Sequence, residues 1–145
     1  MILKELTRQE GIAFIQLGME FVRMDNAFAK EKEFQVDQYL QELGITKEDL
    51  NELSFTESLC HIKEASERVR KIIYFELLGL ALVDGQYEDH EVGFLEELSN
   101  SLKIDRASKF KYANFYFEFI ESYSHSNELT DEQREELRRR AVEII

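Results

Sequence analysis

The spacing of apolar residues follows the helical period along most of the chain. After the capping pattern at residues 7–10, apolar side chains recur every three or four residues as far as Met24. A second run with this period, 34–43, is followed at once by Gly44. Glycine in that position favours the left-handed conformation that ends a helix. The pattern predicts two helices joined by a turn at Asp25.

The most apolar part of the chain lies between residues 66 and 83, where the apolar positions leave no polar stripe towards the end. A helix that is apolar on all sides in a soluble protein belongs in the centre of the core. Asp84 and Gly85 are predicted to end this helix, and another is predicted from about Glu88 to Leu102. Two short helices are predicted between Gly44 and residue 66, one begun at Thr46 and one over 56–65.

Aromatic residues are concentrated in the segment 110–123, "FKYANFYFEFIESY", where they form two stripes at helical spacing. One stripe contains Tyr112, Tyr116, Phe119 and Tyr123, and the other contains Phe110, Ala113, Phe117 and Ile120. Two apolar faces predict contact on two sides, as for a helix wedged between the halves of the core. The alternative is an aromatic patch that binds a partner.

Composition supports an all-α fold in one domain. The 145 residues include no proline and six glycines, and 43% of them are hydrophobic, which is enough apolar material for a sizeable core. We predict a bundle of about seven or eight helices. The bundle is predicted to form a single domain over 1–145. Its parts are repeat halves over about 7–45 and 66–104, an aromatic helix over 105–124, and a C-terminal helix over 130–145.

Charge and apolar run length restrict the partners. A formal net charge of −12 would repel a phosphate backbone, so nucleic-acid binding is disfavoured. The longest uncharged apolar run, 77–83, is far shorter than the ~20 residues that cross a membrane. The first ten residues lack the apolar segment of a secretory signal, so a cytoplasmic protein is expected. The single cysteine, Cys60, is expected to be a small core residue.

The chain contains an internal similarity between its two predicted hairpins. A shift of 59 residues places Asp25 on Asp84, and it also brings apolar positions of the two hairpins into line. Matched apolar pairs are Met19 with Leu78, Val36 with Leu95, and Leu43 with Leu102. A helical hairpin cannot bury its apolar face alone. The overlay therefore predicts two like hairpins packed over one core, with their aspartate turns as counterparts.

The segment 77–104, "LLGLALVDGQYEDHEVGFLEELSNSLKI", resembles the tellurite-resistance TerB family. The shared features are an apolar helix, an Asp-Gly turn at residues 84–85, and a glutamate, Glu91, in the first turn of the next helix. In the first hairpin the resemblance assigns the corresponding roles to Asp25 and Glu33. It implies a TerB-like helical domain that binds other proteins in a bacterial response to tellurite or other chemical stress. Peripheral contact with a membrane-protein partner is compatible with this role.

The two aspartate turns are the candidate metal site. Asp25 and Asp84 each follow an apolar helix, where the helix dipole disfavours negative charge. One explanation is structural, because an aspartate oxygen can accept amide hydrogens within a turn. The other is a divalent cation such as calcium or magnesium, held by Asp84 with Glu88 or Glu91 and by Asp25 with Glu33.

Catalytic motifs are not found in the sequence. The residues three before each histidine are Ser58, Tyr87 and Ser122, so the paired Glu-x-x-His motif of a di-iron bundle is absent, and there is no glycine-rich phosphate loop. No catalytic residue and no required cofactor are predicted. We therefore predict a non-enzymatic protein-interaction module, and the alternative is a cation binder or sensor that uses the acidic turns.

Overall fold

The computed structural model describes residues 2–23, 29–82, 89–123 and 130–145, without the side chains of 29, 31 and 120–123. These residues form seven α-helices and two 3₁₀ helices, with no strand among them, which confirms the all-α prediction. The α-helices are α1 (Arg8–Arg23), α2 (Ala29–Leu43), α3 (Phe55–Lys63), α4 (Glu67–Leu82), α5 (Asp89–Ser101), α6 (Arg106–Tyr123) and α7 (Asp131–Ile144). The 3₁₀ helices are Ile2–Glu5 and Asp49–Glu52.

Local capping contacts begin and end the helices where the sequence predicts them. Before α1, the Thr7 amide donates to Glu10 Oε1 at 2.9 Å, and the Glu10 amide donates to Thr7 Oγ1 at 3.2 Å. Thr130 and Gln133 make the same reciprocal pair at the start of α7. Gly44 has a φ of 66°, the left-handed conformation expected after α2.

The start of α3 differs slightly from the prediction. The helix begins at Phe55, because Ser54 and Glu57 form a reciprocal capping box that we did not identify in the sequence. The short helix predicted from Thr46 is the 3₁₀ helix Asp49–Glu52, and ahead of it the Asp49 amide donates to Thr46 Oγ1 at 3.2 Å.

The core is built around α1 and α4. Helix α1 packs against α2, α3 and α4, and α4 also contacts α5 and α6. All but one of the residues from 72 to 82 are buried, which confirms α4 as the central core helix. Despite this apolar character, neither α4 nor any other helix in the described part of the chain is long and apolar enough to cross a membrane.

Helix α6 approaches α4 closely at one glycine. The Tyr116 hydroxyl donates to the Phe75 carbonyl at 2.9 Å, and the two aromatic rings stack with centroids 4.9 Å apart. A Cβ added to Gly79 would lie 2.5 Å from the Tyr116 hydroxyl oxygen. Gly79 therefore provides the space in which α6 packs on α4.

Candidate functional site

The predicted cation ligands are only partly covered by the structure. Asp25, Asp84 and Glu88 lie outside the described residues, so their arrangement stays a prediction. Glu33 is exposed on α2, whereas Glu91 is buried in the first turn of α5. Within the described ranges, no group of three or more histidine, cysteine, aspartate or glutamate residues is arranged to hold a metal ion.

Glu91 forms a buried ion pair with Lys32, which lies near the start of α2. Lys32 Nζ is 2.7 Å from Glu91 Oε1, and the two side chains are 0% and 1% exposed. The ammonium also lies 5.2 Å from the centroid of the Phe21 ring, which in turn contacts Phe94 at 5.3 Å between centroids. The pair therefore joins α2 to α5 beside the Phe21 ring.

Each buried charge of this ion pair is stabilised by the other. Removing one ion from water costs several kcal/mol, and attraction in the interior offsets that cost while both charges are present. The position of Glu91 adds a smaller favourable contribution, because a negative charge in the first turn of a helix interacts well with the helix dipole. The Glu91 carboxylate is thus already neutralised by a cation of the chain itself.

The spacing of Lys32 and Glu91 in the sequence is a signal for this pair. Lys32 and Glu91 are 59 residues apart, which is the shift of the predicted hairpin overlay. The overlay therefore matches Glu91 with Lys32, whereas the resemblance assigned the corresponding role to Glu33. The spacing agrees with the predicted repeat, but the similarity of the two hairpins stays a prediction.

A second buried charge lies on α4. Glu76 is 8% exposed, and burial raises its pKa to about 7, with the nearby Glu42 carboxylate acting in the same direction. The Tyr39 hydroxyl donates a hydrogen bond to Glu76, which opposes this rise in pKa. Burial also raises the pKa of Glu42. We did not single out Glu76, although it is the one charged residue between 72 and 83.

An open groove runs between α1, α2 and the Asp49–Glu52 helix. Its volume is about 360 Å³. Apolar side chains form its floor, and charged side chains of both signs, including the predicted ligand Glu33, form its rim. The floor residues are Met19, Val22, Val36, Leu40 and Leu50, and the rim residues are Arg23, Glu33, Asp37 and Lys47.

The largest exposed aromatic side chains of α6 form a second surface. Phe110 is 68% exposed and Phe117 is 55% exposed, and we call this pair the α6 aromatic surface. Seven residues are about two helical turns, so both rings lie on one side of the helix. By contrast, Tyr112 is buried and packs on Phe75. The prediction of a wedged helix is therefore wrong at Phe110 and Phe117, which are exposed, whereas Ala113 of the same stripe packs against the core.

The predicted location of Cys60 is also wrong. Cys60 is exposed on α3, and the neighbouring His61 shares a hydrogen bond of 2.8 Å between its Nε2 atom and Gln9 Oε1. The apolar positions of this short helix that face the core are filled by other residues, chiefly Ile62. The Cys60 thiol is not paired with the His61 imidazole, and nucleophilic catalysis could depend on such a pair.

Comparison with models of protein families, with curated proteins and with solved structures finds no match for this chain.

Proposed function

We propose that this chain is a TerB-like module that works by binding other proteins, in the bacterial cytoplasm and in the response to tellurite or other chemical stress. The observation that carries the binding function is the α6 aromatic surface. The stress response rests on the resemblance of residues 77–104 alone. Binding does not require a cofactor.

Exposure of two phenylalanine side chains on one helix face is energetically unfavourable. Burial of such a side chain contributes about 1.5–3 kcal/mol, which the free chain forgoes at Phe110 and at Phe117. Aromatic residues are enriched in protein interfaces, where a partner covers them, and polar residues form the rim. Here Lys111, Asn114 and Glu118 are exposed beside the aromatic pair. The surface therefore has the composition of a small binding site.

The raised pKa of Glu76 does not favour catalysis. Glu76 has a pKa in the range that suits an acid or base, but its side chain is almost completely covered. The two grooves formed by α1 with α2 and by α6 with α7 are lined by other residues. A substrate in either groove would not contact this carboxyl group. This supports binding over an enzymatic role.

Cation binding is the alternative function, and the described residues do not favour it. The Lys32 ammonium lies 2.7 Å from Glu91 Oε1, so a divalent cation that used this carboxylate would lie close to a buried positive charge. Repulsion between the added cation and this buried ammonium would oppose binding in the interior. The cation site stays a prediction.

A photo-crosslinking amino acid at Asn114, between the two phenylalanines, tests the proposed function. Introduced into the protein in its native host, it is expected to give a specific adduct with a protein. The adduct should disappear in Phe110→Ser/Phe117→Ser and persist in Phe34→Ser, which removes a ring that is 63% exposed on α2. Equal adducts in both variants, or none in the parent chain, would contradict the proposal. Circular dichroism confirms that each variant is folded.

A further inference from the structure

We propose that the α6 aromatic surface binds a second copy of this chain through two antiparallel α6 helices. This inference rests on the proposed function and names the partner of that site. It follows from the order of aromatic and charged residues along the exposed side of α6.

The aromatic residues are arranged so that the surface is complementary to itself. Phe110 and Phe117 are separated by about 10 Å along the helix axis, at 1.5 Å per residue. A two-fold axis perpendicular to α6, near Asn114, reverses the second helix. It sets Phe110 against Phe117 of the second copy and Phe117 against Phe110 of the second copy. Both exposed rings of each chain are then covered, as an isologous interface requires.

The charges beside the aromatic pair select the antiparallel arrangement. Lys111 and Glu118 are also seven residues apart, so they lie on the same flank of the aromatic surface. The two-fold axis keeps this flank on the same side of both helices. It brings Lys111 beside Glu118 of the second copy, twice in each dimer. In a parallel pair, the two-fold axis runs along the helices and puts this flank on opposite sides of the two copies, so Lys111 of one copy would not meet Glu118 of the other.

Glu118 makes a contact within its own chain, but its side chain remains accessible to Lys111 of the second copy. Glu118 Oε2 accepts a hydrogen bond from the Arg140 guanidinium on α7 at 2.6 Å, and its side chain is nevertheless 61% exposed. A groove of about 250 Å³ between α6 and α7 runs along the same flank and includes Lys111 and Glu118 in its lining. The groove gives the side chains of a second copy room on this flank.

Two effects make the expected dimer weak. A contact between two single helices is smaller than the ~800 Å² per partner of standard stable interfaces. In addition, two chains of net charge −12 repel each other, although salt screens exposed charges beyond about 10 Å at 0.1 M. The dimer should therefore depend on protein concentration and be weaker at very low salt than at physiological salt.

Sedimentation equilibrium tests this inference on the full chain, from about 10 μM to 1 mM protein, a range that detects weak affinities. A reducing agent prevents disulfide formation through the exposed Cys60. We expect a monomer–dimer equilibrium for the parent chain and for Phe34→Ser. We expect a monomer at all concentrations for Phe110→Ser/Phe117→Ser.

Charge reversal gives a sharper test of the antiparallel register. Lys111→Glu and Glu118→Lys should each weaken self-association about tenfold or more, because each places like charges together twice. An equimolar mixture of the two variants should recover association, since every contact on the flank then joins opposite charges. Lys111→Glu leaves the contact between Glu118 and Arg140 intact, so its effect does not depend on the packing of α7.

The outcomes separate the inference from the proposed function. A parent chain that stays monomeric at 1 mM overturns the inference, as does a dimer that neither charge reversal weakens. A monomeric chain whose Asn114 crosslinker captures a different protein overturns the inference and leaves the proposed function standing. A monomeric chain with no captured protein overturns both.

Discussion

Lys32 Nζ and Glu91 Oε1 are 2.7 Å apart in the protein interior, and they join two helices whose predicted hairpins are related by the 59 residues that separate this pair. A buried ion pair contributes less to stability than its short distance suggests, because both ions lose their hydration. It does make the fold sensitive to the loss of either partner. The pair therefore constrains how α2 and α5 can lie against each other.

Replacement of Lys32 by methionine should reduce the free energy of unfolding by about 3–5 kcal/mol, because it removes the ammonium that lies 2.7 Å from the buried Glu91 carboxylate. Lys30→Met, which removes an exposed lysine of the same helix, should change it by less than about 0.5 kcal/mol. Lys32→Met/Glu91→Met should recover most of the loss. Urea unfolding measures all three, and a small effect of Lys32→Met alone would contradict the importance of the pair.

The pH dependence of stability should contain a contribution from Glu76. Its pKa in the folded protein, about 7, lies above the ordinary value of 4.5, so the folded state binds this proton more tightly than the unfolded state. The stabilisation from Glu76 is therefore complete below pH 4.5 and is lost as the pH rises to about 7.

Glu76→Gln keeps the shape of the side chain and cannot ionise, so it should be more stable than the parent chain at pH 8 by up to about 3 kcal/mol. The decline in stability between pH 4.5 and 8 should become smaller. Thermal unfolding across this range measures the change, and Glu135→Gln controls for the loss of one exposed negative charge. Parallel curves for Glu76→Gln and the parent chain would refute the prediction.

The close approach of α4 and α6 should make the chain sensitive to one methyl group. Gly79→Ala should destabilise the fold by about 1–3 kcal/mol, because the new Cβ would collide with the Tyr116 ring. Gly93→Ala is the matched control, since a Cβ at this exposed position of α5 meets no atom within 4 Å. It should stabilise the fold by about 0.5–1 kcal/mol through helix propensity. Similar effects of both substitutions would show that the α4–α6 contact can adjust.

Millimolar calcium or magnesium should leave the melting temperature of the parent chain unchanged, because Lys32 already neutralises Glu91. The measurement is thermal unfolding with each ion and with a chelator. A rise in melting temperature that disappears in Asp84→Asn would contradict this expectation, and it would support the predicted cation site at the acidic turns.

Much of the fold could be predicted because its signals are local. Thr7 with Glu10 and Thr130 with Gln133 cap their helices through contacts within four residues, and such contacts are readable from residue type and spacing. The apolar run of α4 likewise predicts burial directly. The candidate sites were harder to predict, because exposure of Phe110 and burial of Lys32 depend on which helices pack against them.

The sequence by itself determined an all-helical chain, the caps of its helices and the central position of α4, since backbone hydrogen bonding and apolar periodicity act over a few residues. Only the tertiary structure decided that α6 buries Tyr112 and exposes Phe117, and that Lys32 rather than Glu33 faces Glu91. Both stripes of α6 are aromatic, and Lys30 and Lys32 differ little in local sequence. Helices that are distant in sequence cover Tyr112 and Lys32, whereas Phe117 and Lys30 are left in water.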